Sequence, residues 1–316
     1  MNPHTELISA DPAGIARAAT LLKGGDLVAF PTETVYGLGG DARSDIAVAR
    51  IFDAKGRPRF NPLIVHLPSV KAARQIAIFS PEADRLADAF WPGPLTLVLP
   101  RRPDAGLSDL VTAGLPTVAI RIPEHPLAQA LLRAFGGPLA APSANPSGKI
   151  SPTCAAHVTE GLSGKIAAIL DGGACAVGVE STILALDPPT LLRPGGLPAE
   201  AIEACLGTRL SSGGNITKPT APGQLASHYA PRASVRLNVT KPAPGEIWLG
   251  YGPIGADFNL SPSSDLVEAA ANLFKTLRDA DRQAGPKGRI AVAPIPNHGL
   301  GRAINDRLRR AAAPRS

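Results

Sequence analysis

The stretch from Leu27 to Leu67 constrains the fold of this 316-residue chain most strongly, because apolar runs and polar turns alternate in it at short intervals. Its first apolar run, Leu27–Phe30, has the length of a buried strand. Ser44 is a favourable helix N-cap, apolar residues recur after it at helical spacing, and Gly56 is a typical helix stop. A second apolar run then ends at His66. The pattern predicts strand, polar loop, helix, basic loop and strand.

The alternation continues along most of the chain and predicts an α/β fold with a twisted, mixed sheet and flanking helices. Between Gly207 and Pro231 it breaks into glycine, serine, threonine and proline, a composition typical of a linker. Three short apolar runs and two amphipathic stretches then predict a smaller, Rossmann-like α/β domain. We therefore expect domains at residues 1–207 and 233–316, joined by a linker at 208–232.

Composition excludes several classes of protein. Cys154, Cys175 and Cys205 are widely spaced and form no C-x-x-C pair, which argues against a disulfide framework or a zinc site and fits a reducing cytosol. The N-terminus lacks the apolar segment of a signal peptide, and no run approaches the roughly 18 apolar residues of a membrane span. We expect a cytoplasmic protein with no membrane partner.

The positive charge is concentrated in the smaller predicted domain. The formal net charge is +6, of which residues 1–232 carry +1 and residues 233–316 carry +5. Five arginines lie in the last fifteen residues, namely Arg302, Arg307, Arg309, Arg310 and Arg315. They form either a solvated helix and tail or a surface that attracts RNA or an acidic partner. No aromatic residues interleave with them, so the pattern supports weak RNA binding at most.

Two polar loops in the first stretch carry the residue types of an anion-binding site. The loop after the first strand has three hydroxyl groups and a carboxylate, on Thr32, Thr34, Tyr36 and Glu33. Glycines at positions 37, 39 and 40 would let its backbone approach a ligand closely. The second loop brings Lys55, Arg57 and Arg59 within five residues.

The glycines also invite a dinucleotide-binding interpretation, because Gly37–Ala42 fits G-x-G-x-x-A between a predicted strand and helix. The acidic residue expected about twenty positions later is missing, and Arg57 and Arg59 stand there instead. A G-x-x-x-x-G-K-[ST] phosphate loop is absent as well, since Gly148-Lys149 is followed by Ile150. Neither H-E-x-x-H nor G-x-S-x-G occurs.

Four separated motifs occur in the order PTETVYGLG, K-x-R-P-x-x-N-P-L-I-V-H, PSANPSGKISPT and GVESTI. Together they resemble the YrdC-type threonylcarbamoyl-AMP synthases, from about Leu7 to about Arg193. The segment QLASHYAPRA and the small domain after it resemble the long, two-domain branch of that family. The resemblance implies a YrdC-like catalytic domain that makes L-threonylcarbamoyl-AMP from L-threonine, bicarbonate and ATP. It also implies a partner complex that transfers the product to tRNA.

The resemblance further implies two sets of contacts. L-threonine is expected to contact Thr34, His66, Arg121, Ala141 and Ser181. ATP is expected to contact Lys55, Arg57, Asn61, Thr117, Ser143, Asn145, Ser151, Arg193 and Tyr229. Lys55 and Arg57 would stabilise phosphate charge, and the linker would fold over the active site with its tyrosine against the nucleotide. No organic cofactor is implied, whereas Mg²⁺ is expected with ATP, with Glu33 and Glu180 as candidates to help place it.

The residues by themselves leave structural alternatives open. A histidine at a strand end, such as His66, is ordinarily a hydrogen-bonded core residue. Arg121 lies among apolar neighbours and needs an anionic partner, which is either a substrate carboxylate or an Asp or Glu side chain. The basic loop can be a solvated surface loop, the turn around Ser143 is ordinary in composition, Ser181 can simply begin a strand, and Tyr229 can pack on a domain surface.

No general-base dyad is evident in the sequence. This fits a mechanism in which threonine and bicarbonate form a carbamate whose own oxygen attacks ATP, so that the protein supplies positioning and charge. The rival interpretation is an RNA-binding module acting in tRNA or ribosome maturation, which would need an extended positive face. Convergence of His66, Arg121 and Ser181 on a small pocket would distinguish the enzyme.

Overall fold

The structure is a computed structural model that describes residues 4–58, 60–213 and 228–314. Its strands are β1 (Glu6–Ile8), β2 (Val28–Phe30), β3 (Gly37–Asp41), β4 (Ile64–His66), β5 (Leu95–Pro100), β6 (Thr117–Arg121), β7 (Leu139–Ala140), β8 (Ala168–Leu170), β9 (Thr182–Leu186), β10 (Pro189–Arg193), β11 (Ser211–Ser212), β12 (Ser234–Arg236), β13 (Glu246–Gly250), β14 (Phe258–Asn259) and β15 (Arg289–Val292). Its helices are α1 (Pro12–Lys23), α2 (Asp45–Lys55), α3 (Val70–Ala73), α4 (Pro81–Phe90), α5 (Asp109–Thr112), α6 (Pro126–Phe135), α7 (Ala155–Leu162), α8 (Ala199–Leu206), α9 (Leu266–Ala284) and α10 (Gly301–Ala312).

The first eleven strands form one mixed sheet in the order β1-β8-β2-β3-β7-β4-β6-β5-β9-β10-β11. At its centre, β4 runs parallel to β6 and antiparallel to β7, while β5 runs antiparallel to β6 and parallel to β9. The predicted twisted, mixed sheet is therefore confirmed.

Helices pack on both faces of this sheet, because successive residues of a strand point to opposite sides. Val28 of β2 belongs to the same buried cluster as Leu22 of α1 and Leu131 of α6. The next residue, Ala29, belongs to a second cluster with Ile51 of α2. The predicted flanking helices thus cover a core on each side of the sheet.

The predicted polar loop after β2 contains a strand that the sequence pattern did not indicate. Residues Gly37–Asp41 form β3, which runs antiparallel to β2. The glycine at position 39 serves packing, since a Cβ atom there would lie only 2.9 Å from Cε1 of Phe30. The prediction that these glycines let the backbone approach a ligand is wrong for Gly39, because the ring of Phe30 occupies the space beside its Cα atom.

The last four strands form a separate, fully parallel sheet in the order β12-β15-β13-β14. Leu273 and Phe274 of α9, Ile304 of α10 and Ile290 of β15 share one buried core beside it. The predicted smaller α/β domain is confirmed.

The two domains pack directly against each other. Val35, Ile150 and Val179 of the larger domain belong to the same buried cluster as Phe274 of the smaller one. The guanidinium Nη2 of Arg278, on α9, donates a hydrogen bond of 2.5 Å to the carbonyl of Ile150. This contact connects the small domain to the turn that leads to Ser151.

The predicted linker is described only at its two ends. Ser211–Ser212 forms β11 beside β10, so the large sheet extends past residue 207. Residues 214–227, with the first part of QLASHYAPRA, lie outside the described residues, as does Arg59. Within the ranges that the structure describes, no helix is both long and apolar enough to cross a membrane.

Candidate active site

The register of the central strands brings predicted site residues together. Strands β4 and β6 are parallel neighbours and pair His66 with Arg121. On the other side of β6, Thr96 of β5 lies opposite Arg121, and its hydroxyl oxygen is 2.7 Å from that of Ser181. His66, Arg121 and Ser181 therefore meet, as the predicted enzyme site requires.

These residues line a cavity of about 40 Å³. The predicted site residues in its wall are Arg57, His66, Arg121, Ala141, Ser143, Ser181, Arg193 and Tyr229. The other residues in its wall are Thr32, Val35, Gly37, Ile64, Pro142, Glu180 and His228. Ligand pockets commonly measure about 300–1,000 Å³, so a nucleotide does not fit a cavity of this size in this conformation.

Arg121 has an acidic partner inside the protein. Its Nη2 atom donates to Oε1 of Glu33 at 2.6 Å, and Nη1 donates to Oγ1 of Thr34 at 2.7 Å. Both members of the ion pair are buried, with side-chain exposures of 4% and 8%. The ion-pair alternative for Arg121 is therefore the arrangement in the structure, while its place in the cavity wall keeps a substrate carboxylate within its reach.

His66 lies in the cavity wall as a buried, uncharged imidazole. Burial, followed by the nearby charge of Arg121, lowers the pKa of His66 to about 3. Its Nδ1 atom is buried and has no hydrogen-bond partner among the residues that the structure describes. A buried polar atom without a partner is costly, so this nitrogen is a candidate for a ligand contact.

Ser181 and Arg193 form a connected pair at the start of β9. Arg193 donates through Nε and Nη2 to the carbonyl of Ser181, at 3.1 and 2.9 Å, and through Nη2 to its hydroxyl, at 3.2 Å. Burial is the main cause that lowers the pKa of Arg193 to about 10, so the guanidinium stays charged at neutral pH. Ser181 is thus a fixed part of the wall and does more than begin a strand.

Arg57 is held by the backbone of its own loop. Its Nη2 atom donates to the carbonyl of Pro62 at 2.9 Å, and Nε donates to that of Asn61 at 3.3 Å. Burial, followed by the charge of Arg193, lowers the pKa of Arg57 to about 10. Arg57 is therefore a buried cation and not part of a solvated surface loop. Asn61 lies behind it, and its buried Oδ1 atom has no hydrogen-bond partner in the described part of the chain.

Lys55 lies behind the cavity wall and supports the turn after β7. Its ammonium group donates to the carbonyls of Ser143 and Asn145, at 2.5 and 2.6 Å. Burial, followed by the charge of Arg57, lowers the pKa of Lys55 well below its usual value. In this conformation its ammonium group shapes the turn that carries Ser143.

Two side chains that the family resemblance implied as ATP contacts hold the rest of that turn in place. Asn145 donates through Nδ2 to the carbonyls of Pro146 and Lys149, at 2.8 and 2.9 Å. Ser151 is fully buried and donates to Oε1 of Glu180 at 2.5 Å. The turn is therefore much more constrained than its composition suggested.

Thr34 and Thr117 also lie away from the cavity wall. Thr34 is buried behind Arg121, to which it is hydrogen-bonded. Thr117 begins β6 opposite Pro100, four residues before Arg121. In an extended strand this separation is about 13 Å, so the structure does not bring Thr117 to the cavity.

Tyr229 joins the linker to the site from the side of the small domain. Its ring stacks on Phe274 of α9 at 5.4 Å between centroids, and the side chain is 1% exposed. The amide of Ala230 donates to the carbonyl of Gly148 at 2.9 Å, which holds this segment against the predicted ATP-binding turn. Tyr229 packs on a domain surface and also lines the cavity, while its contact with the nucleotide stays a prediction.

His228 and Arg307 have no assigned contact in the sequence-based prediction, and Glu180 was only a candidate to help place Mg²⁺. Glu180 lines the cavity and pairs with the buried Arg307 at 2.8 Å, and His228 lies beside Tyr229 at 4.0 Å between ring centroids. The signal for His228 was its place in the HYAPR segment. The signal for Arg307 was its position on the apolar face of α10, between Ile304 and Ala311.

The C-terminal arginines do not form an extended positive face in the structure. Arg307 is buried, Arg302 pairs with Glu200 at 3.2 Å, and Arg310 pairs with Asp306 at 3.1 Å. Arg309 is exposed, and Arg315 lies outside the described residues. This arrangement does not favour the RNA-binding alternative.

The candidate metal carboxylates are both occupied by cations. Glu33 is bonded to Arg121, and Glu180 is bonded to Arg307 and Ser151. In residues 4–58, 60–213 and 228–314, no three His, Cys, Asp or Glu side chains form a group able to hold a metal ion. The wall of the cavity contains Arg57, Arg121 and Arg193 together with neutral hydrogen-bond donors, which suits an anionic ligand.

Two family models together match nearly the whole chain. The Sua5, YciO and YrdC model, described as telomere recombination, matches residues 20–195. A second model, described as threonylcarbamoyl-AMP synthase, C-terminal domain, matches residues 197–313.

Curated relatives and solved structures agree with the family models. The threonylcarbamoyl-AMP synthase of Bacillus subtilis is 44% identical over 98% of this chain and 96% of its own length. That of Pyrococcus abyssi is 44% identical over 93% of each chain. The crystal structure of P. abyssi Sua5 complexed with L-threonine has a TM-score of 0.89 and 42% identity, and covers 98% of both chains. E. coli YciO, with a TM-score of 0.55 and 23% identity over 60% of this chain and 95% of its own, shares the fold of the larger domain.

Proposed function

The chain belongs to the threonylcarbamoyl-AMP synthase family, and we propose that it makes L-threonylcarbamoyl-AMP from L-threonine, bicarbonate and ATP, with release of pyrophosphate. The observation that carries this proposal is the 44% identity to a threonylcarbamoyl-AMP synthase over nearly the full length of both proteins. A cavity lined by Arg57, Arg121 and Arg193 supports the same reaction, because both the nucleotide and the amino acid carboxylate are anionic.

L-threonine would bind at the end of β6. Its carboxylate fits the guanidinium of Arg121, where it would take the place that Oε1 of Glu33 occupies in this conformation. The unpartnered Nδ1 of His66 and the hydroxyl of Ser181 lie in the same wall and offer hydrogen bonds to the rest of the amino acid. The P. abyssi structure complexed with L-threonine supports threonine binding in this fold.

ATP would bind between the turn around Ser143 and the segment that carries Tyr229. The cavity of about 40 Å³ does not admit a nucleotide, and we propose that His228 and Tyr229 first move away from this turn. Their return over the bound reactants would exclude water from an intermediate that water hydrolyses. This role accounts for a buried tyrosine at the end of a linker.

The reaction needs one new bond to carbon and one to phosphorus. The threonine amine condenses with bicarbonate to give a carbamate and water. A carbamate oxygen then attacks the α-phosphorus of ATP, the bond to the bridging oxygen of the β-phosphate breaks, and pyrophosphate leaves. The protein positions the reactants and stabilises negative charge, for which Arg57 and Arg193 are placed in the wall.

Mg²⁺ would enter as part of the ATP substrate. The two acidic side chains at the site are each bonded to an arginine, so phosphate oxygens together with water would supply the metal ligands. The product is a reactive acyl adenylate, and we propose that a separate complex transfers its threonylcarbamoyl group to tRNA.

Pyrophosphate release tests the reaction directly. We expect release from Mg²⁺–ATP that requires both threonine and bicarbonate, and its loss in Arg121→Ala. Arg101→Ala is the matched control, because it removes an arginine whose partner, Asp109, is exposed. Release that does not depend on threonine would exclude the proposed reaction.

A further inference from the structure

Arg307 of the small domain is bonded to Glu180, a residue of the active-site cavity wall. Arg307, on α10, has a side-chain exposure of 1%. Its Nε atom donates to Oε2 of Glu180 at 2.8 Å, across 127 residues of sequence. Glu180 lines the cavity next to Ser181.

Glu180 connects this arginine to the predicted ATP-binding turn. Its Oε2 atom accepts from Arg307, and its Oε1 atom accepts from the hydroxyl of Ser151. The carboxylate therefore has a defined orientation only while both donors are present. Any change in Arg307 reaches Ser151 through one side chain.

Arg307 also contacts Tyr229, the aromatic residue of the cavity wall. Its guanidinium carbon lies 5.2 Å from the centre of the Tyr229 ring, within the range of a cation–π interaction. The same ring stacks on Phe274, also from the small domain. The small domain thus contributes the surroundings of Tyr229.

The position of Arg307 itself is fixed by further contacts. Its Nη1 atom donates to the carbonyl of Pro194 and to Oδ2 of Asp306, at 2.9 and 2.8 Å. Asp306 is held in turn by Arg310 at 3.1 Å. Since Pro194 follows Arg193, this network joins α10 to the end of β10.

Stability alone does not account for a pair of this kind. A buried ion pair is often replaceable by apolar residues without loss of stability, because desolvation offsets the attraction. This pair instead lies at the cavity and contacts two residues that are predicted to bind ATP, Ser151 and Tyr229.

We propose that Arg307 is a positioning residue for ATP binding, which orients Glu180 and Tyr229 so that the small domain completes the nucleotide site. The proposal rests on the function proposed above, since it assigns ATP to this cavity. It predicts that changes at Arg307 act on ATP and leave threonine binding at Arg121 nearly unaffected.

The test compares Arg307→Met with Arg309→Met, an exposed arginine two residues along the same helix. We expect Arg307→Met to raise the Kd and KM for ATP about tenfold or more, the loss typical of a charge-assisted contact. The KM for threonine should change by less than about twofold, and Arg309→Met should behave as the wild type.

Folding defects are separated from positioning by a double variant. Arg307→Met alone leaves Glu180 buried without its cation, which is destabilising. Glu180→Gln combined with Arg307→Met removes both charges, so we expect it to recover most of the lost thermal stability while ATP binding stays weak. Recovery of ATP binding together with stability, or an ATP affinity of Arg307→Met equal to that of Arg309→Met, would overturn the proposal.

The assay also keeps this proposal distinct from the reaction itself. Binding of a non-hydrolysable ATP analogue is measured by calorimetry, and pyrophosphate release is measured separately. If the wild type binds the analogue but shows no threonine-dependent release, the proposed reaction fails while the effect of Arg307 on nucleotide affinity is still decided. If the wild type does not bind the analogue, the positioning role is wrong.

Discussion

Nη2 of Arg121 lies 2.6 Å from Oε1 of Glu33, so the cation at the end of β6 is neutralised by the first loop of the chain. Both side chains are buried, and of the two it is Arg121 that lines the cavity. In this conformation one amino group of Arg121 pairs with Glu33, and the other donates a hydrogen bond to the hydroxyl of Thr34. An anionic substrate that takes the place of Glu33 would keep the arginine paired throughout.

Removing Arg121 should therefore reduce both stability and threonine affinity. Arg121→Met leaves Glu33 as a buried charge without its cation, which costs about 3–5 kcal/mol in the free energy of unfolding. Adding Glu33→Gln should recover most of that loss in urea denaturation, yet the KM for threonine should stay high. A double variant with normal threonine kinetics would show that Arg121 is only structural.

Acid should destabilise the protein below neutral pH through two buried histidines. Burial is the main cause that lowers the pKa values of His66 and His228, each to about 3, from an ordinary value of 6.5. Between those values the unfolded chain binds a proton that the folded chain does not, so stability falls as pH decreases from about 6.5 towards about 3. At about pH 5 the loss is about 2 kcal/mol for each histidine.

Urea denaturation of His228→Gln at about pH 7 and about pH 5 tests this dependence. The variant should lose about 2 kcal/mol less than the wild type over that interval. His298→Gln, a change at an exposed histidine, is the control and should follow the wild type. An unchanged pH dependence in His228→Gln would contradict the prediction.

Tyr229 should contribute to ATP binding through its ring rather than through packing alone. Tyr229→Ala removes the stacking on Phe274 and should cost about 3–5 kcal/mol of stability, together with a higher KM for ATP. Tyr229→Phe keeps the ring, so it should retain stability and most of the ATP affinity. Thermal denaturation and pyrophosphate-release kinetics of both variants measure the two effects. Normal ATP kinetics in Tyr229→Ala would rule out a nucleotide contact.

Gly39, in β3, should not tolerate even the methyl group of an alanine. In Gly39→Ala the new Cβ atom would lie 2.9 Å from Cε1 of Phe30 and 3.2 Å from the carbonyl oxygen of Val28. Overpacking of this kind costs about 1–3 kcal/mol, measurable as a lower urea midpoint. Gly255→Ala is the control, because nothing lies within 4 Å of the atom it adds. Equal stabilities of the two variants would contradict the assigned packing.

Much of the fold could be predicted from local patterns. Helix α2 follows the N-cap Ser44 and ends at Gly56, as the apolar periodicity and the capping signals predicted. Strand β3 was missed, because its residues GLGGD have no apolar alternation and glycine ordinarily indicates a loop. Its strand conformation depends on pairing with β2 and β7, which no local pattern encodes.

The candidate site was predicted only in part, for a similar reason. The family resemblance implied His66, Arg121, Ser181 and Tyr229, and the structure brings these four residues to one cavity. The assignment of Thr117 to ATP stays a prediction, since the residue lies at the far end of β6. Lys55 was expected to face phosphate, but its ammonium group is bonded to two carbonyls of the turn after β7.

The sequence by itself determined the fold class, the family and the residue types of the site, because periodicity, turn residues and motifs are local properties of a chain. Only the tertiary structure decided which charges are paired. Glu33 with Arg121, and Glu180 with Arg307, are separated by 88 and 127 residues, and each pair forms because burial makes an unpaired charge costly. The contribution of the small domain to the cavity, through Arg307 and the surroundings of Tyr229, follows from that packing and from no motif.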